Sequence, residues 1–436
     1  SAVDPFSPEG ISAGGVAVDQ QGAGTLYQAF QATAASMGFN GETTFFRVNH
    51  IGKTFGLFLA AGDYSQWDDI SGATLAVNPL TGKQLIISSA TGRIYSTTDT
   101  GSTWFQIGSP ETFGSPPTYS KALAYGAPEP GATVGNLGNF MYVGTGGGRV
   151  FMTQTGGGGT GNDWREISSG LDGTAVQRIV PSPIRGNHSA YAVTAQGVYY
   201  MADSTAANAT WVAVTGDLHS LSISIFGETY AMSDASPLAQ SLTLSALAVD
   251  WRYSIPNAAG DPNGSGLHPV LYVAGNAGVF RSIDNGLSWS LFPNQDIDGA
   301  QVQGGLLPRS PVTDLDLSLG AVNPATGVPN LLGALDPYNP GSANDPNVLM
   351  ATTWGRSAYA VRIAPLVIPG TTRVNPADVS GTAADGSPII RKSSFGISGL
   401  SMTTGFNNAT RITIYSVTDG KVVGGFNGAG TNVAAN

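Results

Sequence analysis

The sequence predicts an all-β protein that is built from a repeated unit of short strands. Gly and Pro are abundant, with 60 and 26 residues among 436, and they show no collagen-like period. Aromatic and β-branched residues are plentiful enough to form strands between the turns that Gly and Pro mark. One pattern also recurs along the chain: an apolar strand, a turn, a second strand ending near Gly, a third strand and a Trp.

Six copies of this unit align by their first strands. These strands are GGVAVD, ATLAVNP, KALAYGAP, VQRIVPSP, SALAVDW and VTDLDLS, around Val16, Leu75, Leu123, Ile179, Leu247 and Leu315. The third strands, such as RVFMTQT and GVFRSID, are alternating or fully apolar, which favours sheets stacked face against face. The repeat therefore predicts a six-bladed β-propeller within residues 1–365. Segment 216–243 is predicted to be a hairpin excursion, with a seventh blade as the alternative.

A fourth strand is predicted directly after a Trp in five copies. The five residues are Trp67, Trp104, Trp164, Trp211 and Trp289. The sixth copy lacks this strand, and because a free sheet edge invites aggregation, residues 1–11 are predicted to supply it and to close the ring. Trp251 and Trp354 lie outside the pattern, and we expect both to fill space between blades rather than to face a channel.

The turn before the fourth strand carries a motif in two copies. TTDTGSTW covers residues 97–104 and SIDNGLSW covers residues 282–289, both of the form (S/T)xDxGx(S/T)W. The Asp is expected to accept backbone N–H bonds in its own turn, the Gly to adopt positive φ and the Trp to fill the space between blades. The motif residues are Asp99, Gly101, Trp104, Asp284, Gly286 and Trp289.

These two turns resemble the Asp-box, or BNR, hairpin of sialidase-like and sortilin-like propellers. The other hairpins, TQTGGGGTGNDW, MADSTAANATW and VNHIGKTFGLFLAAGDYSQW, look like degenerate copies. The resemblance covers residues 12–363 and implies the propeller fold. The Asp box is typically structural, so the resemblance implies little about function.

After the repeat the periodicity stops. Residues 366–376 are Pro-bounded and are predicted to be a linker. Residues 377–436 are predicted to form a small β-sandwich or a partial Ig-like domain. Long loops at 126–138, 254–268 and 328–347, between first and second strands, are expected to carry binding surfaces.

Composition restricts the partners and the location. Only 11% of the residues are charged and the net charge is −10, which argues against nucleic acid because Lys and Arg clusters are needed to bind phosphate backbones. No apolar run is long enough to insert into a bilayer. With no Cys, there is neither a disulfide nor a thiolate nucleophile. The low charge favours an extracellular or cell-surface location.

Chemistry is harder to find in the sequence. The arginine cage that the sialidase resemblance would imply lacks the family's context around Arg47, and the four His residues show no metal-ligand spacing. A glycosidase needs two facing carboxylates, and Asp250 and Asp314 are the first to inspect because they lie at or beside first strands. No cofactor is predicted, although structural calcium could occupy the oxygen-rich loops 296–299 and 336–347.

The preferred interpretation is a non-catalytic structural, adhesive or assembly module of a larger surface or secreted protein. Its predicted partners are other copies of itself, other surface proteins or polysaccharide. The alternative is a carbohydrate-active enzyme, a glycoside hydrolase or lyase, that acts at the propeller face.

Overall fold

The structure is a computed structural model. It describes residues 11–18, 26–32, 43–51, 54–59, 74–88, 92–101, 103–113, 120–158, 163–220, 222–225, 228–231, 240–257, 266–292, 307, 310–318, 325–327, 348–354, 357–362, 379–382, 388–390, 412–415 and 422–426. The chain divides into two compact units. The first comprises residues 1–215, 231–247 and 322–327, and the second comprises residues 216–230, 248–321 and 328–436.

The first unit contains four antiparallel sheets of four strands, each in chain order. Sheet 1 consists of β1 (Ile11–Val18), β2 (Leu26–Ala32), β3 (Thr43–Ile51) and β4 (Thr54–Leu59). Sheet 2 consists of β5 (Leu75–Val77), β6 (Leu85–Ser88), β7 (Ile94–Thr97) and β8 (Phe105–Gly108). Sheet 3 consists of β9 (Ser120–Tyr125), β10 (Met141–Thr145), β11 (Val150–Thr153) and β12 (Arg165–Glu166). Sheet 4 consists of β13 (Val176–Pro181), β14 (Ala190–Thr194), β15 (Val198–Met201) and β16 (Val212–Ala213).

The remaining strands form smaller or later sheets. A three-stranded sheet follows, with β17 (Ser222–Ile225), β18 (Glu228–Ala231) and β19 (Gln240–Ser241). Sheet 5 consists of β20 (Leu244–Pro256), β21 (Leu267–Gly275), β22 (Gly278–Ser282) and β23 (Ser290–Phe292), and sheet 6 of β24 (Val312–Ser318), β25 (Val348–Thr353) and β26 (Ser357–Arg362). Two hairpins end the series: β27 (Val379–Thr382) with β28 (Pro388–Ile390), and β29 (Ile412–Tyr415) with β30 (Val422–Phe426). The helices among the described residues are short: α1 (Pro110–Phe113) and 3-10 turns at Val134–Asn136 and Gly216–Ser220.

Four-stranded antiparallel meanders that follow one another along the chain are the blade unit of β-propellers. The predicted fold class, an all-β propeller, is therefore confirmed, and all six predicted first strands are strands of the structure. Blade number and ring closure stay predictions. Residues 1–10, which are part of the segment predicted to close the ring, and the linker 366–376 lie outside the described residues, and the predicted domain limits stay predictions as well.

The predicted fourth strand of sheet 1 was wrong. The segment after Trp67, which lies outside the described residues, was expected to pair with β3, but β4 at residues 54–59 takes that place, with Ile51 opposite Thr54. Only two residues, Gly and Lys, separate these partners in the sequence. A two-residue connection brings two strands together at a smaller entropic cost than a long loop does, and it therefore takes precedence over the Trp signal.

Sheet 3 has two apolar faces, each of which packs against a neighbouring sheet. Leu123, Tyr125, Met141, Val143 and Phe151 cluster with buried residues of sheet 2. Ala122, Ala124, Phe140, Tyr142, Val150 and Met152 cluster with buried residues of sheet 4. Successive side chains of a strand point to opposite faces, so a sheet that is covered on both sides needs continuous apolar strands. All five residues of β10 are buried accordingly.

The structure differs from the sequence predictions for the loop at 254–268 and for Trp354. The loop predicted at 254–268 is shorter, because β20 continues to Pro256 and β21 begins at Leu267. Trp354 does not fill space between sheets, because it directly follows β25, the residue is 77% exposed and its backbone N–H donates to the carbonyl of Pro311.

Candidate functional site

Both complete turns of the motif are built around their Asp. Asp99 Oδ1 accepts bonds from the Thr97 hydroxyl (2.7 Å) and the Thr103 N–H (2.8 Å), and Oδ2 accepts the Thr103 hydroxyl (2.7 Å). Asp284 accepts the same three kinds of bond from Ser282 and from the N–H and hydroxyl of Ser288. A carboxylate that accepts several local bonds fixes the shape of its turn.

The turns enter the left-handed region at two successive residues. Gly101 has φ 89° and Gly286 has φ 80°, as expected for Gly. The residues before them, Thr100 and Asn285, also have positive φ, 63° and 58°. Asn tolerates this region, whereas a β-branched Thr is strained there. The motif predicts positive φ only for its Gly.

The third turn of this kind, between β11 and β12, keeps the geometry with its polar groups exchanged. Thr153 Oγ1 accepts the N–H of Gly157 at 3.0 Å, as Thr97 does for Gly101. The hydroxyl of Thr155 then stands two residues later, where Asp99 stands in its own turn, and it donates to Asp163 directly before the Trp. This turn is therefore a variant with an insertion.

The fourth turn keeps the Asp, but Met201 stands where the regular turn has its first hydroxyl residue. Asp203 Oδ1 accepts the hydroxyl of Thr205 at 2.6 Å and its N–H at 2.8 Å. The Thr205 hydroxyl bond, together with the backbone bond and the nearby His188, holds the pKa of Asp203 below its ordinary value. Arg165 of sheet 3 donates to the carbonyls of Ser204 and Ala206 in this turn.

The tryptophans join neighbouring sheets in two of the described hairpins. The indole N–H of Trp164 in sheet 3 donates to the carbonyl of Ile107 in sheet 2 at 2.6 Å. The indole N–H of Trp211 in sheet 4 donates to Ile167 O, just after sheet 3, at 2.8 Å. Trp104 differs, because its indole donates to Gly101 O in its own turn at 3.0 Å. Trp289 is buried at the start of β23.

The two carboxylates first suspected of catalysis have different surroundings. Asp250 lies in β20 and is fully buried, with 0% exposure. Asp314 lies in β24, is exposed, and accepts the N–H of Leu315 on its Oδ1 at 2.9 Å. A role for either in catalysis stays a prediction.

A pocket of about 340 Å³ lies at the end of sheet 3 where the β9–β10 loop meets the β11–β12 turn; we call it the loop pocket. The lining residues are Ala127, Pro128, Glu129, Gly131, Ala132, Asn136, Asn139, Phe140 and Gln154. Eight of them come from one loop, within the range 126–138 and its continuation into β10. The long loops between first and second strands are expected to carry binding surfaces, and this one lines an open pocket.

The loop has a fixed shape because both its ends and its middle are bonded. Gly126 N–H donates to Phe140 O (2.9 Å), and a Cβ at Gly126 would lie 2.6 Å from the Phe140 ring, so only Gly allows this closure. Arg185 of the β13–β14 loop donates to Ala132 O at 2.8 Å, and Gly186 N–H donates to Pro128 O at 3.0 Å. The pocket walls are therefore held by sheet 4.

His188 stands beside the pocket between two carboxylates. Its Nε2 lies 3.2 Å from Glu129 Oε1, and its Nδ1 lies 3.9 Å from Asp203 Oδ1 and 3.3 Å from the Thr205 hydroxyl. The contact with Glu129 is close, but its alignment does not make a hydrogen bond, and Nε2 therefore has no hydrogen-bond partner. The imidazole packs edge-on against Phe140, with ring centroids 5.3 Å apart.

This cluster is not visible in the sequence. Glu129 and Asn139 come from the β9–β10 loop, Gln154 from the β11–β12 turn and His188 from the next sheet. Only the pairing of strands and the packing of sheets bring them together. The sequence presents His188 only as a potential metal ligand, and it has no partner at suitable spacing.

Within the described part of the chain, no three His, Asp or Glu side chains come together in a way that could hold a metal ion. The loops 296–299 and 336–347, where calcium was predicted, lie outside that part. None of the described helices is long and apolar enough to cross a bilayer.

No protein-family model matches the chain, and no curated protein matches it significantly. Among solved structures, the chain is similar to the GH74 xyloglucanase from Xanthomonas campestris, with 15% identity, 97% of this chain and 54% of that chain covered, and a TM-score of 0.46. It is also similar to YCF48 bound to D1 peptide (12% identity, 81% and 79% covered, TM-score 0.40). A third neighbour is an auxiliary nutrient binding protein from Bacteroides thetaiotaomicron (13% identity, 70% and 64% covered, TM-score 0.39).

The chain spans about half the length of the xyloglucanase. TM-scores below 0.5 support no inference about function, and the fold assignment rests on the sheets themselves.

Proposed function

We propose that this chain is a non-catalytic module of an extracellular or cell-surface protein, and that it recognises a partner through the loops at the pocket end of its sheets. The partner is a polysaccharide, another surface protein or a second copy of the module. The low charge and the acidic balance of the sequence support the location.

The observation that carries this proposal is the position of His188. Acid and base carboxylates of a glycosidase must face each other across a gap that holds the sugar and, in inverting enzymes, a water molecule. Glu129 lines the loop pocket, Asp203 lies in the neighbouring β15–β16 turn, and the imidazole of His188 lies between these two carboxylates. The imidazole fills the space between the two carboxylates, so they cannot face each other across a bound sugar, and this supports binding rather than hydrolysis.

Other described carboxylates support the same conclusion. Asp99 and Asp284 hold their turns, and Glu166 forms a bidentate ion pair with Arg149. Groups that are committed to local bonds are poor candidates for proton transfer to a substrate. The alternative, a glycoside hydrolase or lyase at the propeller face, draws no comparable support from the described residues.

We also assign the chain to the Asp-box type of propeller. The two matching turns share three carboxylate bonds and two successive residues of positive φ, and the third turn keeps the first hydroxyl bond to a Gly N–H. Calcium in loops 296–299 or 336–347 stays a prediction, with a structural role. It is tested by the shift of the unfolding temperature when a chelator is added.

The test of the proposed function is a paired assay on the full chain. One arm incubates the protein with a panel of soluble polysaccharides and measures the release of reducing ends. The other arm measures retention on the same polysaccharides by affinity electrophoresis and self-association by light scattering. We expect retention or assembly without release. Release of reducing ends that Glu129→Gln or Asp203→Asn abolishes would overturn the proposal.

A further inference from the structure

We propose that the loop pocket binds one neutral sugar unit, at the end or on a branch of a glycan. This inference rests on the proposed binding function and names its ligand class. It places the ligand at the same end of the sheets as the Asp-containing turns, where the sequence predicted only structural roles for those turns.

The polar side chains of the pocket are free to meet hydroxyl groups. Among the hydrogen bonds that the described residues make, none involves the side-chain amides of Asn136, Asn139 or Gln154, all three of which line the pocket. Each amide offers two donor hydrogens and an acceptor oxygen, and Glu129 adds a carboxylate acceptor. Sugar hydroxyls both donate and accept, so such a mixture of groups matches a ring with several adjacent hydroxyls.

The rest of the pocket is apolar. Ala127, Pro128, Ala132 and Phe140 supply its hydrocarbon surface. A sugar ring has C–H faces as well as hydroxyl edges, and such surfaces suit the C–H faces. The cavity of about 340 Å³ lies at the lower end of the range for ligand pockets, which suits one ring rather than several.

Charge selects a neutral ligand. Glu129 is the sole charged residue among those that line the pocket, so a carboxylated or sulfated sugar would meet an anion and no cation there. The nearby Arg185 is committed to the carbonyls of Pro130 and Ala132 behind the loop. The imidazole of His188 covers one side of the Glu129 carboxylate, with Nε2 3.2 Å from Oε1, and so restricts the approach of a cationic amino sugar to it.

Two glycines of the loop provide a matched pair of variants. A Cβ added at Gly131 or at Gly135 would meet no atom within 4 Å, and neither residue has positive φ. Both positions therefore accept a side chain without strain. Gly131 lines the pocket and Gly135 does not, so Gly131→Leu adds a bulky side chain at the pocket wall while Gly135→Leu is the control for folding.

The experiment uses the full chain and a panel of methyl glycosides of glucose, galactose, mannose and xylose, with glucuronic acid and glucosamine as charged probes. Binding is measured by saturation-transfer NMR and titration. We expect at least one neutral glycoside to bind, Gly131→Leu to weaken it by about tenfold or more, and Gly135→Leu to leave it unchanged. Asn139→Ala should weaken it as well, while Asn208→Ala, exposed on the next hairpin turn, should not.

Three results would overturn the inference. These are binding that is equal in Gly131→Leu and the native chain, a preference for glucuronic acid or glucosamine, and absence of binding by every neutral glycoside. If the chain is still retained on a polymer or still assembles in any of these cases, the proposed function survives and only the assignment of this pocket falls. Cleavage of a glycoside would instead count against the proposed function itself.

Discussion

Thr155 and Asp163 exchange the parts that Asp99 and Thr103 take in the regular turn. In the β7–β8 turn the carboxylate stands first and accepts the hydroxyl of the residue before the Trp. In the β11–β12 turn the hydroxyl of Thr155 stands first and donates to the carboxylate of Asp163 before the Trp. The hydrogen bond is kept while its donor and acceptor change sides, so the turn depends on the pair rather than on either residue.

The double exchange tests this dependence. We expect Thr155→Asp alone to destabilise the chain by about 0.5–1 kcal/mol, because two exposed carboxylates then meet and Asp163 loses its donor. Asp163→Thr alone should cost about 1 kcal/mol through the lost charged acceptor. The double variant, which restores the regular order, should recover most of both losses, as measured by denaturant unfolding. Additive losses in the double variant would mean that the two side chains act independently.

Exchanging the two non-Gly residues of positive φ should change stability in opposite directions at the two equivalent positions. Thr100 is β-branched and strained at φ 63°. Thr100→Asn should therefore raise the free energy of unfolding by about 0.5–1 kcal/mol, and with it the unfolding temperature. Asn285 already suits φ 58° and is buried, so Asn285→Thr should lower it by at least as much. If both substitutions change stability in the same direction, backbone strain does not control these turns.

The stability cost of replacing a tryptophan should depend on which carbonyl accepts its indole N–H. Trp211→Phe removes a bond to the neighbouring sheet from a buried side chain and should cost about 2–3 kcal/mol, including the space left behind. Trp104→Phe removes only a bond within its own turn, where the ring is half-buried, and should cost about 1 kcal/mol. Amide hydrogen exchange should show faster opening of sheet 4 in the first variant. Equal costs would indicate that the bond between sheets contributes nothing.

The pair Arg149–Glu166 predicts a dependence on pH. The Arg149 guanidinium that donates to Glu166 holds the pKa of that carboxyl below its ordinary value. A depressed folded-state pKa gives stability that is present above the unfolded-state pKa and is lost as the pH falls through the folded value. Glu166→Gln should therefore lower the unfolding temperature at neutral pH and have no effect in strong acid.

Both side chains of this pair are 40% exposed, so we expect only about 0.5 kcal/mol at neutral pH. Arg149→Met breaks the same pair from the other side and should show the same loss of the acid-dependent part. A difference between native chain and Glu166→Gln that persists unchanged into strong acid would show that charge is not the cause.

The strands were predictable because their pattern is local. β10 and β11 are continuous apolar runs, and in sheets 2 to 5 a Trp directly precedes each fourth strand, so periodicity and one marker residue locate them. The marker failed in sheet 1, where a two-residue turn gave β3 a nearer partner than the segment after Trp67. Competition between a close and a distant partner cannot be read from one strand alone.

The loop pocket was predictable only as a long loop. Its polar groups come from two connections of sheet 3, and His188 comes from sheet 4, so no spacing in the sequence links Glu129 to His188. The sequence also gave no sign that Trp354 is exposed, since apolar character predicts burial for most tryptophans and the end of a strand is an exception set by its surroundings.

The bonds between sheets have a direction along the chain. The acceptor carbonyls of Ile107 and Ile167 precede their indole donors, Trp164 and Trp211, in the order of synthesis. A growing polypeptide leaving the ribosome therefore presents each docking point before the side chain that attaches to it. We therefore expect sheets 2 to 4 to fold in the order of their synthesis, each docking on the sheet that precedes it. A chain that terminates early would then retain the folded sheets already made.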